Sequence, residues 1–316
     1  MNPKPFALPR PPEVESALEG MLTAEAAPGA LLDSLMSRRA EMVLELGRLE
    51  GEIERAAIES ICGGQDDTQD VELYDGSLGV SRAFCDEHEP RVGQLQWLND
   101  LAQRFNKPGE SPGNVSGQRW GSGGLFANDL FITAGHCFDR DGNGWERPSR
   151  NGVVITSQEI ATLMQVNFNY QRNGQTFAPR PGEPFPVTEL LEFRLAGLDF
   201  AIVRLGPNAA GQLPGEKYGV LALAAQDLTT ANAMLALIQH PAGKPKMIEA
   251  GPMAGNAGGR ISYGSLDTLG GSSGAPILAE NGELVGVHTN GGCSQFSGAN
   301  FGVAIGVIRS ASSIIQ

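Results

Sequence analysis

Apolar residues Leu35, Met42, Leu46, Leu49 and Ile53 recur at spacings of 7, 4, 3 and 4, which puts them on one stripe of a helix within residues 33–61. Gly47 and Gly51 each weaken that helix by about 1 kcal/mol, so the stripe is expected to dock onto a partner or the rest of the chain rather than form a free coiled coil. A shorter helix over residues 12–21, with proline in its first turn, is expected to precede it. At residues 63–70 (GGQDDTQD) the helical period ends. Beyond Val71 the chain reads as short apolar or alternating runs broken by Gly, Pro and Asn. They fall at residues 92–97, 130–134, 153–156, 200–205, 234–239, 277–278 and 284–287. Short strands at such spacing predict an antiparallel sandwich or barrel. The expected organisation is a helical N-terminal extension over 1–65, a linker over 66–70 and an all-β domain over 71–316.

Composition agrees with a β-rich chain. There are 42 glycines and 20 prolines among 316 residues, well above the usual glycine share of about 7%. The net charge is −13, and residues 1–70 hold 14 acidic against 6 basic side chains. Phosphate binding needs clustered Lys and Arg, so nucleic acid is excluded as an expected partner. No apolar run approaches 18 residues, and residues 1–30 lack a basic start followed by an apolar core. Neither a membrane span nor a cleaved secretory signal is therefore expected. On that reading the chain is cytoplasmic, and Cys62, Cys85, Cys137 and Cys293 are reduced thiols; paired, they would allow three connectivities.

Three segments carry chemistry: Thr133-Ala134-Gly135-His136-Cys137, Leu198-Asp199-Phe200, and Gly270-Gly271-Ser272-Ser273-Gly274-Ala275-Pro276. His, Asp and Ser are the parts of a nucleophilic triad, in which imidazole takes the hydroxyl proton and a carboxylate fixes its tautomer. A strand delivers His136 at its end, a strand begins at Asp199, and a Gly-rich turn presents Ser273 with backbone N–H groups for an oxyanion. The same turn also fits the nucleophile elbow Gly-x-Ser-x-Gly around Ser272. That fold needs Ser, then an acid, then His, and only 44 residues follow Ser272.

In these motifs and their order the chain resembles chymotrypsin-fold serine proteases, and most of all the bacterial glutamyl-endopeptidase branch. The likeness continues through residues 239–245 (QHPAGKP) and 285–292 (VGVHTNGG) and covers about residues 71–316. It implies two six-stranded antiparallel β-barrels with the site in their cleft, and a serine endopeptidase acting on a protein or peptide substrate. Ser273 would be the nucleophile, His136 the base, Asp199 its orienting carboxylate, and the N–H groups of Gly271 and Ser273 the oxyanion hole. Ser272 stands where trypsin-like members usually have Asp, which puts activation by that ion pair in doubt. Cys137 lacks the usual partner about 16 residues upstream and reads as a buried thiol; Cys293 likewise meets Leu269 where its partner would be.

The resemblance also marks Asp267, Thr268, His288 and Thr289 as substrate-binding. His288 and Thr268 match residues with which glutamyl endopeptidases contact a substrate carboxylate. Asp267, six residues before Ser273, matches the base of a trypsin-like pocket. A carboxylate there would repel an acidic side chain, so the physical argument favours Arg or Lys over Glu. His88 and His240 have no motif context and stay outside the site. Asp139, Asp141 and Asn143 match the first half of a calcium loop, but its twelfth position is Arg150, so an acidic turn is preferred, no cofactor is expected and calcium is the alternative. The helical extension reads as regulatory, a propeptide or a means of recruiting a protein partner. The alternatives to a peptidase are an inactive protease-fold interaction protein and an esterase using the same triad.

Overall fold

The computed structural model describes residues 35–39 and 60–316, except 143, 295 and 296. The chain divides into two units, Met1–Ile53 and Glu54–Gln316. Of the first unit, residues 35–39 are helical and exposed. The rest of the expected extension, including most of its apolar stripe, lies outside the described residues. No described helix is long and apolar enough to cross a membrane.

Within the second unit, six antiparallel strands close a barrel in the order Phe200–Leu205, Leu130–Thr133, Arg119–Leu125, Val92–Trp97, Met164–Phe168, Glu183–Arg194. Its interior is filled by Phe131, Phe168 and Phe185, stacked edge to face at 6.1 and 5.5 Å between ring centres. Each such buried ring contributes roughly 1.5–3 kcal/mol over an exposed one. Strands 92–97, 200–205 and 234–239 match the apolar runs of the sequence, but Val92–Trp97 is buried on both faces. Its polar face reaches partners: Gln94 donates to Gly243 O at 3.1 Å, and Gln96 to Gly117 O at 2.9 Å. Buried amides are tolerated when they are bonded in this way.

The remaining large sheet has eight strands in the order Gln69–Asp70, Met247–Pro252, Met234–Gln239, Pro276–Ala279, Leu284–Asn290, Asn300–Ala304, Arg260–Tyr263, Gly255–Ala257. It is a half-barrel packed on a second apolar core that includes Leu237, Ile277, Val287 and Tyr263. Closed barrel and half-barrel together are the chymotrypsin-like double-barrel architecture. The second sheet differs from six strands because two short edge strands extend it.

One of those edge strands takes in the end of the expected linker over 66–70. Residues 60–70 form an arm docked on the second sheet. Ser60 exchanges backbone hydrogen bonds with Thr268 at 3.0 and 3.1 Å, and Gln69–Asp70 pairs with Met247–Pro252. The arm's polar composition hid this, because the strand pairing and the Ser60–Thr268 exchange are made by backbone groups. The expectation of four reduced thiols is corrected: Cys62 and Cys293 form a disulfide with Cα atoms 4.9 Å apart, while Cys85 and Cys137 are free and buried. Docking of the arm brings together two cysteines separated by 231 residues.

Candidate active site

His136 sits in the turn Gly135–Phe138, directly after strand Leu130–Thr133, and Asp199 directly precedes strand Phe200–Leu205. These strands pair antiparallel with Ala201 opposite Thr133, so the end of one and the start of the other share a barrel edge. There the Asp199 carboxylate accepts the His136 backbone N–H at 2.8 Å and meets Nδ1 at 2.7 Å. A carboxylate in that position fixes the imidazole and stabilises its protonated form.

The turn bearing Ser273 is built by two glycines with left-handed backbone. At Gly271, φ is +99° and a Cβ would come within 2.7 Å of His240 O; at Gly274, φ is +88° and a Cβ would come within 2.2 Å of Ser122 O. Only glycine fits either position. Ser122 anchors the turn from the first barrel: its hydroxyl donates to Gly271 O and its N–H to Ser273 O, both at 2.8 Å. Gly274 N–H donates to His288 O. The N–H groups of Gly271 and Ser273 have no acceptor among the described residues, as an oxyanion hole requires. Adjacent Ser272 is fully buried, and its hydroxyl accepts the Leu269 N–H at 3.1 Å.

His136, Gly271 and Ser273 line one cleft of about 290 Å³ together with Trp120, Trp145 and Arg147. These last three carry no motif and were invisible to sequence reasoning. Arg147 donates to Asp139 O at 3.1 Å and lies 4.1 Å from the centre of the Trp120 ring, and burial lowers its pKa to about 10. Cys137 is buried, with its thiol pushed up to about 12 by desolvation. Its sulfur lies 3.0 Å from where a Cβ on Gly121 would stand, so the thiol fills the space that glycine leaves. Gly121 is the position 16 residues upstream at which the resemblance would put a partner cysteine.

Asp267 is buried. Its carboxylate is turned to the arm, accepting the N–H of Cys62 at 2.6 Å and of Asp67 at 3.3 Å, and burial raises its pKa to about 6. Thr268 is fully buried with its hydroxyl unpartnered among the described residues. His288 lies on strand Leu284–Asn290 beside the Ser273 turn, its Nδ1 2.5 Å from the Tyr263 hydroxyl, and burial pushes its pKa down to about 3. Thr289 follows it, also buried. Of the calcium-loop residues, Asp139 accepts the Asp141 N–H in a local turn at 3.2 Å, and Asn143 lies outside the described residues. His240 is fully buried, with Nδ1 3.1 Å from Lys244 O, and His88 is buried beside Arg91.

Residues 121–287 match the family model of the trypsin-like peptidase domain. A glutamyl endopeptidase of Staphylococcus aureus (strain MRSA252) is 31% identical over 124 residues, a match that takes in 38% of this chain and 34% of the relative. The match thus spans about a third of that relative's length. Among solved structures, a Glu endopeptidase in complex with MPD is 16% identical with a TM-score of 0.47, covering 79% of this chain and 99% of the other. A protease of M. tuberculosis in its active form is 17% identical with a TM-score of 0.48, covering 77% and 88%.

Proposed function

The chain belongs to the trypsin-like peptidase family, and from that premise we propose that it is a serine endopeptidase acting through an acyl-enzyme intermediate. The observation that carries the reading is the two-point hold of Asp199 on His136, at a cleft that Ser273 also lines. Ser273 Oγ attacks the scissile carbonyl while His136 removes its proton. The carbonyl oxygen, now negative, accepts the N–H groups of Gly271 and Ser273. His136 then gives its proton to the departing amine, and water repeats the cycle on the acyl-enzyme. Asp199 holds the imidazole in one tautomer throughout.

The residue cleaved after is proposed to be acidic, in place of the Arg or Lys that an open Asp267 carboxylate would favour. Support comes from the direction of Asp267, whose oxygens serve the arm, and from the unpartnered hydroxyl of Thr268. When Tyr263 donates to Nδ1 of the neutral His288 ring, the proton stays on Nε2. His288 then recognises a substrate carboxylate as a hydrogen-bond donor and not as a charge.

A peptide library read by mass spectrometry tests both levels. Cleavage after Glu that disappears in Ser273→Ala and falls sharply in His288→Ala is the expected result. Cleavage after Arg that depends on Asp267 would overturn the specificity, and peptide hydrolysis unchanged in Ser273→Ala would overturn the mechanism.

A further inference from the structure

We propose that Asp67, Glu249 and Asp267 form a binding site for a hard divalent cation of the calcium class, which clamps the N-terminal arm to the second sheet. One carboxylate oxygen from each residue lies within 4.8 Å of the others. Oxygens sharing a calcium ion at roughly 2.4 Å are at most about 4.8 Å apart, so the three lie within the span that one ion can bridge. The donors are all carboxylate oxygens, which suits calcium or magnesium and not a metal that prefers sulfur or imidazole.

The decisive atom is Glu249 Oε2. Glu249 is 1% exposed, and its Oε1 accepts the Ala250 N–H at 2.9 Å, yet Oε2 is buried with no donor among the described residues. Without an ion, burial and the Asp67 carboxylate push the Glu249 carboxyl up to about 9 and hold it neutral, while an oxygen that the fold leaves unmet calls for an unseen partner. The nearest basic residue along the strand, Lys246, is engaged with Glu89 at 2.7 Å. Asp267 is already held in place by the N–H groups of Cys62 and Asp67. Asp67 is exposed, which gives an ion a way in and leaves room for water to complete its shell.

The fold itself makes the cluster. Gln69 stands opposite Ile248 in the arm's short strand, which lays the residues just before it, Asp67 among them, alongside the stretch that carries Glu249. Asp267 comes from the segment leading to the Ser273 turn. An ion here ties together three stretches of chain distant in sequence, next to the tie already made by Cys62 and Cys293.

The experiment uses the full chain, stripped with a chelator and titrated with calcium chloride, and separately with magnesium chloride, by calorimetry and thermal unfolding. One ion per chain and a higher melting temperature are expected, with binding weakened about tenfold or more by Asp67→Asn and by Glu249→Gln. Asp141→Asn, in the other acidic loop, keeps the full response. Asp67→Asn alters an exposed side chain and keeps the test valid should Glu249→Gln not fold. The proposal is overturned if neither ion binds the wild type at about 10 mM, or if Asp141→Asn loses the response while Asp67→Asn retains it. Heat and melting are the readouts, so the outcome does not depend on the peptidase reading.

Discussion

Asp199 holds His136 at two places at once, one oxygen on the backbone N–H at 2.8 Å and the other on ring Nδ1 at 2.7 Å. Asp199→Asn keeps the shape but turns an N–H₂ toward one of the two donors. The favoured escape is the other imidazole tautomer, which cannot accept a proton from Ser273. Turnover is expected to fall about 10⁴-fold with little change in melting temperature. A variant within about tenfold of wild type would remove Asp199 from the mechanism.

Neighbouring serines should separate cleanly. Ser273→Ala is expected to abolish labelling by a fluorophosphonate probe. Ser272→Ala loses a buried acceptor for the Leu269 N–H, costing about 1–3 kcal/mol of stability, and still labels. The opposite pattern of labelling would exchange their roles.

The Cys62–Cys293 bond closes a 231-residue separation. Removing it with Cys62→Ser, or reducing it, is expected to lower stability by about 2–5 kcal/mol, read as an earlier denaturant midpoint. A midpoint that does not move with reductant would show that the arm docks equally well without the bond.

His288 makes stability depend on pH. Burial holds its folded pKa near about 3, whereas the unfolded chain takes up that proton near pH 6.5. Between those values the unfolded state binds more protons, so the contribution is complete above about pH 6.5 and is lost as pH falls toward 3. His240 shifts in the same direction, chiefly by burial. Urea midpoints measured from pH 8 down to 4 should drop below pH 6.5, and less steeply in His288→Gln. Parallel profiles for the two proteins would contradict the burial of a neutral ring.

What was legible in the sequence was local. Val92–Trp97, Phe200–Leu205 and Met234–Gln239 carry enough apolar residues to declare themselves as strands, and the segments around His136, Asp199 and Ser273 are dense in motif residues. What was not legible is long-range. The run GGQDDTQD looks like a linker because the backbone part of its attachment, N–H groups and two edge-strand residues, leaves no mark in side-chain pattern. Asp267 occupies the position of a pocket base, but its direction is set by the N–H groups of Cys62 and Asp67, two hundred residues away along the chain. Arg147 carries no motif in the sequence; only folding stacks it on Trp120 at the cleft.

The arm's attachment also changes what a cut in it could achieve. A break after Cys62, anywhere in residues 63–68, would not release what lies before it, because Cys62 remains bonded to Cys293. The product would be a two-chain molecule, separable on a denaturing gel only after reduction. Shedding the upstream residues without a reductant requires a cut before Cys62.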